Sequence, residues 1–333
     1  TSVADPDLIR RCALRLAAAS AEGHRVVAVV SAMGHSTDHL IDLAEKVSPA
    51  PRRRELDALM ATGEQVSCAL VAMALAELGI EGVSLTGAQV GIHTDDSHGR
   101  ARVLRIERHR LEHELAHGRL PIVAGFQGIR SNGDITTLGR GGSGTTAVAL
   151  AAALDVARDG GCCEIYTDVD GVYTADPRIV PQAVKLARIS YEEMLELAAL
   201  GAGVMHARAV IFGEKFGVPI HVRHSQKPDA GTIISEEPPD MEEITVIGAA
   251  LKPDLGRVTL RGLPAVVGLQ GRLFEAIAKR GILVDDIVQT ESQDAMTISV
   301  TVEHGDLAET KTVAGQFITE LGRGDLSVEV GLA

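Results

Sequence analysis

The chain has no tryptophan among its 333 residues, and only 2% of them are aromatic. Proteins that bind single-stranded nucleic acids stack the bases on aromatic rings, so this composition offers little for that mode of recognition. The formal net charge of -13 also disfavours a nucleic-acid backbone as partner, because phosphates repel an acidic surface. We therefore expect no nucleic-acid partner.

Cysteine and long apolar runs are scarce as well. The four cysteines show neither a disulfide framework nor metal-ligand spacing, since two of them are adjacent. This usage predicts a reduced, cytoplasmic protein without a metal site of its own. The most hydrophobic stretch, 147–154, is mostly alanine and ends at Asp155, which indicates a buried helix. We expect no segment that spans a membrane.

What is present in residues 1–235 is an alternation of strand-like and helix-like segments, which predicts a layered α/β fold. Continuous Val/Ile runs indicate strands buried on both faces. The predicted strands are 25–31, 82–86, 120–125, 164–168 and 218–223. The predicted helices are 7–22, 56–78, 144–157, 190–199 and 207–216.

The chain changes character at 236–240, an acidic, proline-rich stretch (EEPPD), and we predict a linker over 236–243. The remainder, 244–333, shows the order βαββαβ of a ferredoxin-like domain. Its predicted elements are 257–263, 269–280, 282–290, 296–303, 306–321 and 326–330.

Two segments carry recognisable chemistry. Residues 136–146 (TTLGRGGSGTT) place glycines and one arginine before an alanine-rich helix, so backbone N–H groups can approach an anion at a helix N-terminus. Residues 166–178 (YTDVDGVYTADPR) follow a short strand and supply carboxylates and an aromatic ring. A glycine-rich turn alone is more often structural, but the two segments together predict a phosphate and nucleotide site.

These segments, with five others in the same order, resemble the aspartate kinases of the amino acid kinase family, followed by one regulatory ACT domain. The other segments are 1–3 (TSV), 30–34 (VSAMG), 61–65 (ATGEQ), 125–128 (GFQG) and 189–206. The resemblance covers essentially the whole chain. It implies a three-layer α/β/α sandwich over 1–235 and a ferredoxin-like ACT domain over 244–333.

The resemblance also implies an activity. Aspartate kinases transfer the γ-phosphoryl group of ATP to the side-chain carboxylate of L-aspartate and form 4-phospho-L-aspartate, in the pathway toward lysine, threonine and methionine. Such a reaction depends on positioning and charge neutralisation more than on covalent help from the protein. Mg²⁺ would enter bound to ATP, held chiefly by phosphates and waters.

By the same resemblance, Arg140 clamps the α-carboxylate of the substrate with its planar fork, and Glu64 accepts the substrate ammonium. Arg140, Ser143 and Glu64 are the expected catalytic residues. The expected substrate-binding residues are Ser2, Ser31, Thr37, Glu64, Arg140 and Ser143. The expected nucleotide-binding residues are Thr167, Asp168, Tyr173, Asp176 and Arg178.

In the C-terminal part, 262–274 and 285–289 carry the likeness to an ACT domain. In that family the loop before the first helix and the end of the second strand bind a feedback inhibitor. The implied effector residues are Gly268, Leu269, Asp285 and Gln289. Val267 and Thr290 depart from the family pattern at this site, whereas pairing of two ACT sheets uses backbone groups and predicts a homodimer or larger homo-oligomer.

Three departures concern phosphoryl transfer. The family has an aspartate where this chain has Gly144, a lysine where it has Gly203, and a Lys-Phe-Gly-Gly segment immediately before the position of Thr1. Three hypotheses follow. The chain is an aspartate kinase with weakened activity, a kinase for another carboxylate in a specialised pathway, or a catalytically silent paralogue that binds aspartate or a related amino acid as a regulatory or scaffolding subunit.

Overall fold

The computed structural model describes residues 2–236, 248–252, 254–292 and 295–332, and it divides into two units, Thr1–Ala250 and Leu251–Ala333. The predicted linker over 236–243 lies outside the described residues except for Glu236.

The first unit alternates helices and strands, as its sequence pattern predicts. Its helices are α1 (Pro6–Ala21), α2 (Ser36–Val47), α3 (Arg53–Met60), α4 (Thr62–Ala76), α5 (Gly87–Val90), α6 (His109–Ala116), α7 (Gly142–Ala153), α8 (Tyr191–Ala199) and α9 (Ala207–Phe216), with a 3-10 turn at Val156–Asp159. Its strands are β1 (Ala28–Val30), β2 (Gly82–Leu85), β3 (Ile92–Thr94), β4 (Val103–Ile106), β5 (Leu120–Ala124), β6 (Gln127–Ile129), β7 (Ile135–Thr137), β8 (Cys163–Thr167), β9 (Arg188–Ser190), β10 (Ile220–His224) and β11 (Thr232–Ser235).

These strands form a parallel sheet in the order β1-β5-β2 and a mixed sheet in the order β8-β10-β11-β9, where β8 and β10 are parallel. A third sheet, built of short strands, has the order β4-β3-β6-β7. Helix α7 packs against β1, β8 and α9. Helices and sheets thus form the α/β layers expected from the sequence, with apolar side chains between them.

Several boundaries differ from the sequence-based predictions. The helix predicted at 56–78 is two helices, α3 and α4, which meet at Ala61. Burial on both faces holds for β5, whose five residues are all buried. It is wrong for β8 and β10, because one face of this pair carries polar side chains, Glu164, Tyr166, His221 and Arg223, that are only partly buried or exposed.

The helical stretch Arg53–Ala76 has the length and hydropathy of a membrane span, contrary to the expectation that no segment does. It includes the buried carboxylic residues Asp57 and Glu64. Its second half, α4, packs against α1 and β2 inside the first unit. These contacts are those of a core helix in a folded domain, which passes the same length and composition test.

The second unit has the βαββαβ order. Its elements are β12 (Leu255–Leu263), α10 (Leu269–Ala278), β13 (Ile287–Ser292), β14 (Ala295–Glu303), α11 (His304–Leu321) and β15 (Asp325–Leu332). The antiparallel sheet has the order β13-β14-β12-β15, which is the ferredoxin-like topology. Apolar residues of both helices share one core with the central strands.

Candidate active site

The glycine loop, residues 138–144, connects β7 to the start of α7. Gly141 has φ +66° at the N-cap of α7 and lies against His206, the residue that caps α9. Gly125, at the end of β5, is also required: a Cβ there would lie 2.7 Å from the Cβ of Ser143. This close approach places Ser143 and the first turn of α7 at the carboxyl end of β5. The Gly142 N–H donates to the carbonyl of Gly139, whereas the next N–H groups of that first turn, those of Ser143 and Gly144, have no partners within the helix and suit an anion.

Glu64 lies in the first turn of α4, and the start of this helix lies against the end of β1. A Cβ on Gly63 would be 2.9 Å from the Cβ of Ala32, so only glycine permits this contact. Glu64 is 3% exposed, and its side-chain Oε1 accepts a hydrogen bond from the Ala32 N–H at 3.2 Å. Its Oε2 has no hydrogen-bond partner among the described residues. Burial raises the pKa of Glu64 to about 7.

The predicted substrate residues converge in part. Strands β1 and β5 are hydrogen-bonded neighbours, with Val30 opposite Ala124. Ser31 follows β1 directly, so it lies near Glu64 and Ser143 at the same edge of the sheet. This edge, the carboxyl end of parallel strands, is where α/β sheets bind ligands.

Arg140, Thr37 and Ser2 are the remaining predicted substrate residues. Arg140 is exposed, and its guanidinium has no hydrogen bond or ion pair with any described residue. Thr37 is in the first turn of α2, beside a cleft of about 470 Å³ between α2 and the start of α4. Ser2 is tied to the other sheet, because its Oγ donates to the carbonyl of Tyr166 at 2.7 Å.

The predicted nucleotide segment follows β8. Thr167 Oγ1 donates to Asp168 Oδ1 at 3.0 Å, and this hydrogen bond is the main cause of the lowered pKa of Asp168. Tyr173 donates its hydroxyl to Asp170 at 3.1 Å, and Lys185 Nζ lies 3.7 Å from the same carboxylate. Two anionic carboxylates and a tyrosine therefore lie just beyond the carboxyl end of β8.

Asp176 and Arg178 are paired with each other. Arg178 Nη2 and Nε donate to the two carboxylate oxygens of Asp176 at 2.7 and 3.0 Å, and this hydrogen-bonding lowers the pKa of Asp176. The Arg178 side chain is 87% exposed. Its placement near a nucleotide stays a prediction, since the structure shows only this local pair.

Two polar residues near the glycine loop are absent from the sequence-based predictions. Asp57 of α3 is buried and hydrogen-bonded to His98, Gly99 and Thr137. Arg208 of α9 donates to two backbone carbonyls, one of them in the glycine loop. Helix α3 (RRELDALM) carries three other charged side chains, so its sequence does not single out Asp57. No sequence signal points to Arg208 either.

The two glycines that replace family residues lie in open space. A Cβ on Gly144 or on Gly203 would meet no atom within 4 Å, and neither residue has a positive φ. The backbone at both positions therefore accepts the aspartate or lysine side chain that the family carries there.

No group of three His, Cys, Asp or Glu side chains within 2–236, 248–252, 254–292 and 295–332 could hold a metal ion. Asp168 and Asp170 offer two carboxylates for Mg²⁺, and the pKa values of both lie below the ordinary value for aspartate. Carboxylate oxygens of this kind suit a magnesium ion that arrives with phosphate ligands.

In the second unit, the residues implied as effector site have partners of their own. Gly268 caps α10 with φ +85°, and the Leu269 side chain lies in the core. Asp285 forms an ion pair with Lys252 at 2.8 Å. Gln289 hydrogen-bonds to a neighbouring glutamine. An effector would therefore have to compete with the Lys252 ion pair or use backbone groups near Leu269.

Comparison with known proteins supports the kinase resemblance over the whole chain. The Amino acid kinase family matches residues 1–224. Aspartokinase 2 of Bacillus subtilis (strain 168) is 47% identical over 333 residues, which is 100% of this chain and 81% of that protein. An aspartokinase of Thermus thermophilus is 48% identical over 289 residues, which is 87% of this chain and 70% of that protein.

Solved structures of aspartate kinases have a fold similar to that of this chain. Escherichia coli aspartokinase III in complex with aspartate and ADP (R-state) matches 99% of this chain and 83% of its own, with a TM-score of 0.81 and 26% identity. The aspartate kinase from Synechocystis matches 99% of this chain with a TM-score of 0.63 and 41% identity, and this chain covers 57% of it. From its sequence, its fold and the residues at the carboxyl ends of β1, β5 and β8, the chain belongs to the aspartokinases of the amino acid kinase family.

Proposed function

We propose that this chain transfers the γ-phosphoryl group of ATP, with Mg²⁺, to the side-chain carboxylate of L-aspartate and forms 4-phospho-L-aspartate. The observation that carries the proposal is that Glu64 and Arg140, each available to a ligand, belong to the two segments that lie against the ends of the neighbouring strands β1 and β5. Glu64 keeps one buried oxygen without a partner, and Arg140 has no hydrogen bond or ion pair with the described residues. An α-amino acid brings an ammonium and a carboxylate that complement both.

The residues have separate tasks in this reaction. Glu64 accepts hydrogen bonds from the α-ammonium, and Arg140 holds the α-carboxylate in a bidentate fork. These two contacts leave the side-chain carboxylate of the substrate to face the first turn of α7. There Ser143 and the backbone N–H groups stabilise the charge on the transferring phosphoryl group. Holding both reactants in place supplies most of the rate enhancement, because the chemistry needs no covalent intermediate.

The nucleotide would lie at the carboxyl end of β8, beside Thr167, Asp168 and Tyr173. When bound, Mg²⁺ neutralises charge on the phosphates, and Asp168 or Asp170 would hold it from the protein side. The aspartokinase III match was crystallised with aspartate and ADP, which supports a joint amino-acid and nucleotide site here.

A hydroxamate-trapping assay with ATP, Mg²⁺ and a panel of carboxylates tests the proposal. We expect acyl phosphate from L-aspartate and little from D-aspartate or L-glutamate, because Glu64 and Arg140 fix the stereocentre and the chain length. Turnover of a different carboxylate would replace aspartate as the substrate. Equilibrium binding of L-aspartate without any turnover would instead support a silent paralogue.

Arg140→Ala provides the variant for the same assay. Removing a bidentate contact to the α-carboxylate should raise the KM for aspartate by roughly 10- to 100-fold, in line with about 1.5–3 kcal/mol for a charged hydrogen bond. The KM for ATP should change less than about twofold, since Arg140 makes no contact with the nucleotide segment. Arg178→Ala is the comparison at the predicted nucleotide site, where KM for ATP should rise instead. Equal loss of both affinities in Arg140→Ala would contradict the assigned role.

We further propose that the second unit pairs with a second copy along β13 and gives a homodimer. All six residues of β13 are exposed, and this edge strand includes the apolar Ile287 and Val288.

Val288→Lys should raise the dimer dissociation constant by about tenfold or more, because it places a charge on a sheet edge. Light scattering measures this, with Val47→Lys on exposed α2 as control. A monomeric unmodified chain would contradict the pairing.

We also propose a cytoplasmic location, in a pathway of amino-acid biosynthesis. The support is that all four cysteines are free thiols, as expected in a reducing compartment. Fractionation of the producing cells tests it.

A further inference from the structure

Asp57 and Arg208 hold the base of the glycine loop from two different helices. Asp57 belongs to α3, and Arg208 belongs to the first turn of α9. The family resemblance assigns neither of them a role, and the hydrogen bonds of both side chains go to protein groups beside the loop.

Asp57 connects two segments that border the loop. It is 1% exposed, and its Oδ1 accepts from Thr137 Oγ1 at 2.6 Å, one residue before the loop begins. Its Oδ2 accepts from His98 Nδ1 at 2.7 Å and from the Gly99 N–H at 3.0 Å. Gly99 in turn packs against the loop: its carbonyl oxygen would lie 3.1 Å from a Cβ placed on Gly139.

Arg208 joins the same two segments from the other helix. Its Nη1 donates to the carbonyl of Leu138 at 2.6 Å, and its Nη2 donates to the carbonyl of Ala101 at 2.9 Å. Ala101 also donates its N–H to the carbonyl of Thr137 at 2.9 Å. Three links thus connect the 98–101 segment with the end of β7 and the start of the glycine loop: the Asp57 carboxylate, the Arg208 guanidinium and the backbone hydrogen bond of Ala101.

Burying the Asp57 carboxylate costs free energy of folding, which indicates that this residue does more than fill space. A buried carboxylate is tolerated only when hydrogen bonds replace its water, and here both oxygens of Asp57 are supplied. The functional residue carried by the supported loop is Arg140. Because its guanidinium has no partner among the described residues, the loop backbone is the part of the protein that limits which positions the guanidinium can reach before substrate binds.

We infer that Asp57 and Arg208 are positioning residues for Arg140: they fix the backbone of the glycine loop, so that only the Arg140 side chain has to be ordered when the α-carboxylate of the substrate binds. The inference rests on the proposed function, in which Arg140 binds that carboxylate. Rigid support of this kind affects binding strongly, because small misplacements of a binding group weaken it.

Asp57→Asn is the direct test, since it keeps the shape and changes the hydrogen bonds. The dissociation constant for L-aspartate should rise roughly 10- to 100-fold, while that for Mg²⁺ and a non-hydrolysable ATP analogue should change less than about twofold. Amide hydrogen exchange in 138–144 should become faster in the same variant. Arg208→Lys, which keeps the charge and loses the fork between two carbonyls, should give an intermediate effect.

Glu114→Gln is the matched control. Glu114 is a buried carboxylate of α6 in the same unit, paired with Arg110 and Arg119 at 2.7 and 2.6 Å, and it has no contact with the glycine loop. Its loss should lower the melting temperature without changing aspartate affinity or loop exchange. Should Asp57→Asn fail to fold, Thr137→Val removes one donor to Asp57 and should weaken aspartate binding in the same direction.

The outcomes separate the two claims. A folded Asp57→Asn protein with unchanged aspartate affinity, or with equal losses for aspartate and nucleotide, overturns the positioning role and leaves the proposed function intact. An unmodified chain that binds the ATP analogue and no aspartate overturns the proposed function, and the inference with it.

Discussion

A chain that carries Gly144→Asp and Gly203→Lys together should form acyl phosphate from ATP and aspartate about 10²- to 10³-fold faster in kcat than the unmodified chain. The aspartokinases have an aspartate and a lysine at these positions, and the resemblance assigns them to orienting the reactants and reaching the phosphates. The cation added by Gly203→Lys, aimed at the developing charge of the transition state, contributes roughly 3–4 kcal/mol in a water-excluded site, or about 10²- to 10³-fold, while the carboxylate added by Gly144→Asp orients the reactants. Each single substitution should give part of the gain.

The structure favours this experiment because both positions have room. Neither added Cβ meets an atom within 4 Å, and neither backbone needs a glycine conformation, so the variant should fold as the unmodified chain does. Gly203 lies three residues before His206, which contacts Gly141 of the glycine loop. The restored lysine would thus start close to the anion-binding end of α7.

A charge-matched control is available in the second unit. Gly271→Asp with Gly315→Lys makes the same two changes at glycines that also lie in open space, and it should leave kcat unaltered. Initial rates of hydroxamate formation at saturating ATP and aspartate decide the matter. If the 144/203 variant is no faster than this control, Gly144 and Gly203 are not what limits phosphoryl transfer in this chain.

Much of the fold could be predicted where the sequence pattern is long and regular. Helix α9, Ala207–Phe216, lies where the apolar period places it, and the βαββαβ order of the second unit is confirmed. The strands of the sheet β4-β3-β6-β7, such as Ile92–Thr94, were not predicted, because three or four residues are too few for an alternation to show. The division between α3 and α4 also escaped, since Ala61 is neither glycine nor proline and the break accompanies a contact of Gly63 with the end of β1.

In the active site, too, features set by neighbouring residues could be predicted, whereas contacts between residues far apart in the chain could not. The glycine loop is visible in sequence because its conformation is a property of its own residues, and Gly141 indeed has a positive φ. Asp57 contacts Thr137 across 80 positions of the chain, and Arg208 contacts Leu138 across 70. No periodicity or spacing encodes such pairs, so only the folded chain shows that they support the loop.

Glu64 makes both stability and substrate affinity depend on pH, and the two dependences have opposite signs. The pKa of Glu64 is raised from 4.5 to about 7, so between these values the folded chain holds a proton that the unfolded chain has released. The free energy of unfolding should therefore fall as pH rises from 4.5 to 7. Glu64→Gln, which cannot ionise, should remove this fall.

Aspartate affinity should rise over the same range, because the substrate ammonium binds the ionised carboxylate. With a pKa of about 7, only a few per cent of Glu64 is ionised at pH 5.5, so the dissociation constant for aspartate there should be about 30-fold higher than at pH 8. Calorimetry in buffers of different ionisation enthalpy should detect release of about one proton per aspartate bound at pH 5.5. Glu64→Gln should bind aspartate weakly and show little pH dependence between 5.5 and 8, whereas Glu114→Gln should retain the profile of the unmodified chain. A pH-independent affinity in the unmodified chain would mean that Glu64 does not receive the ammonium.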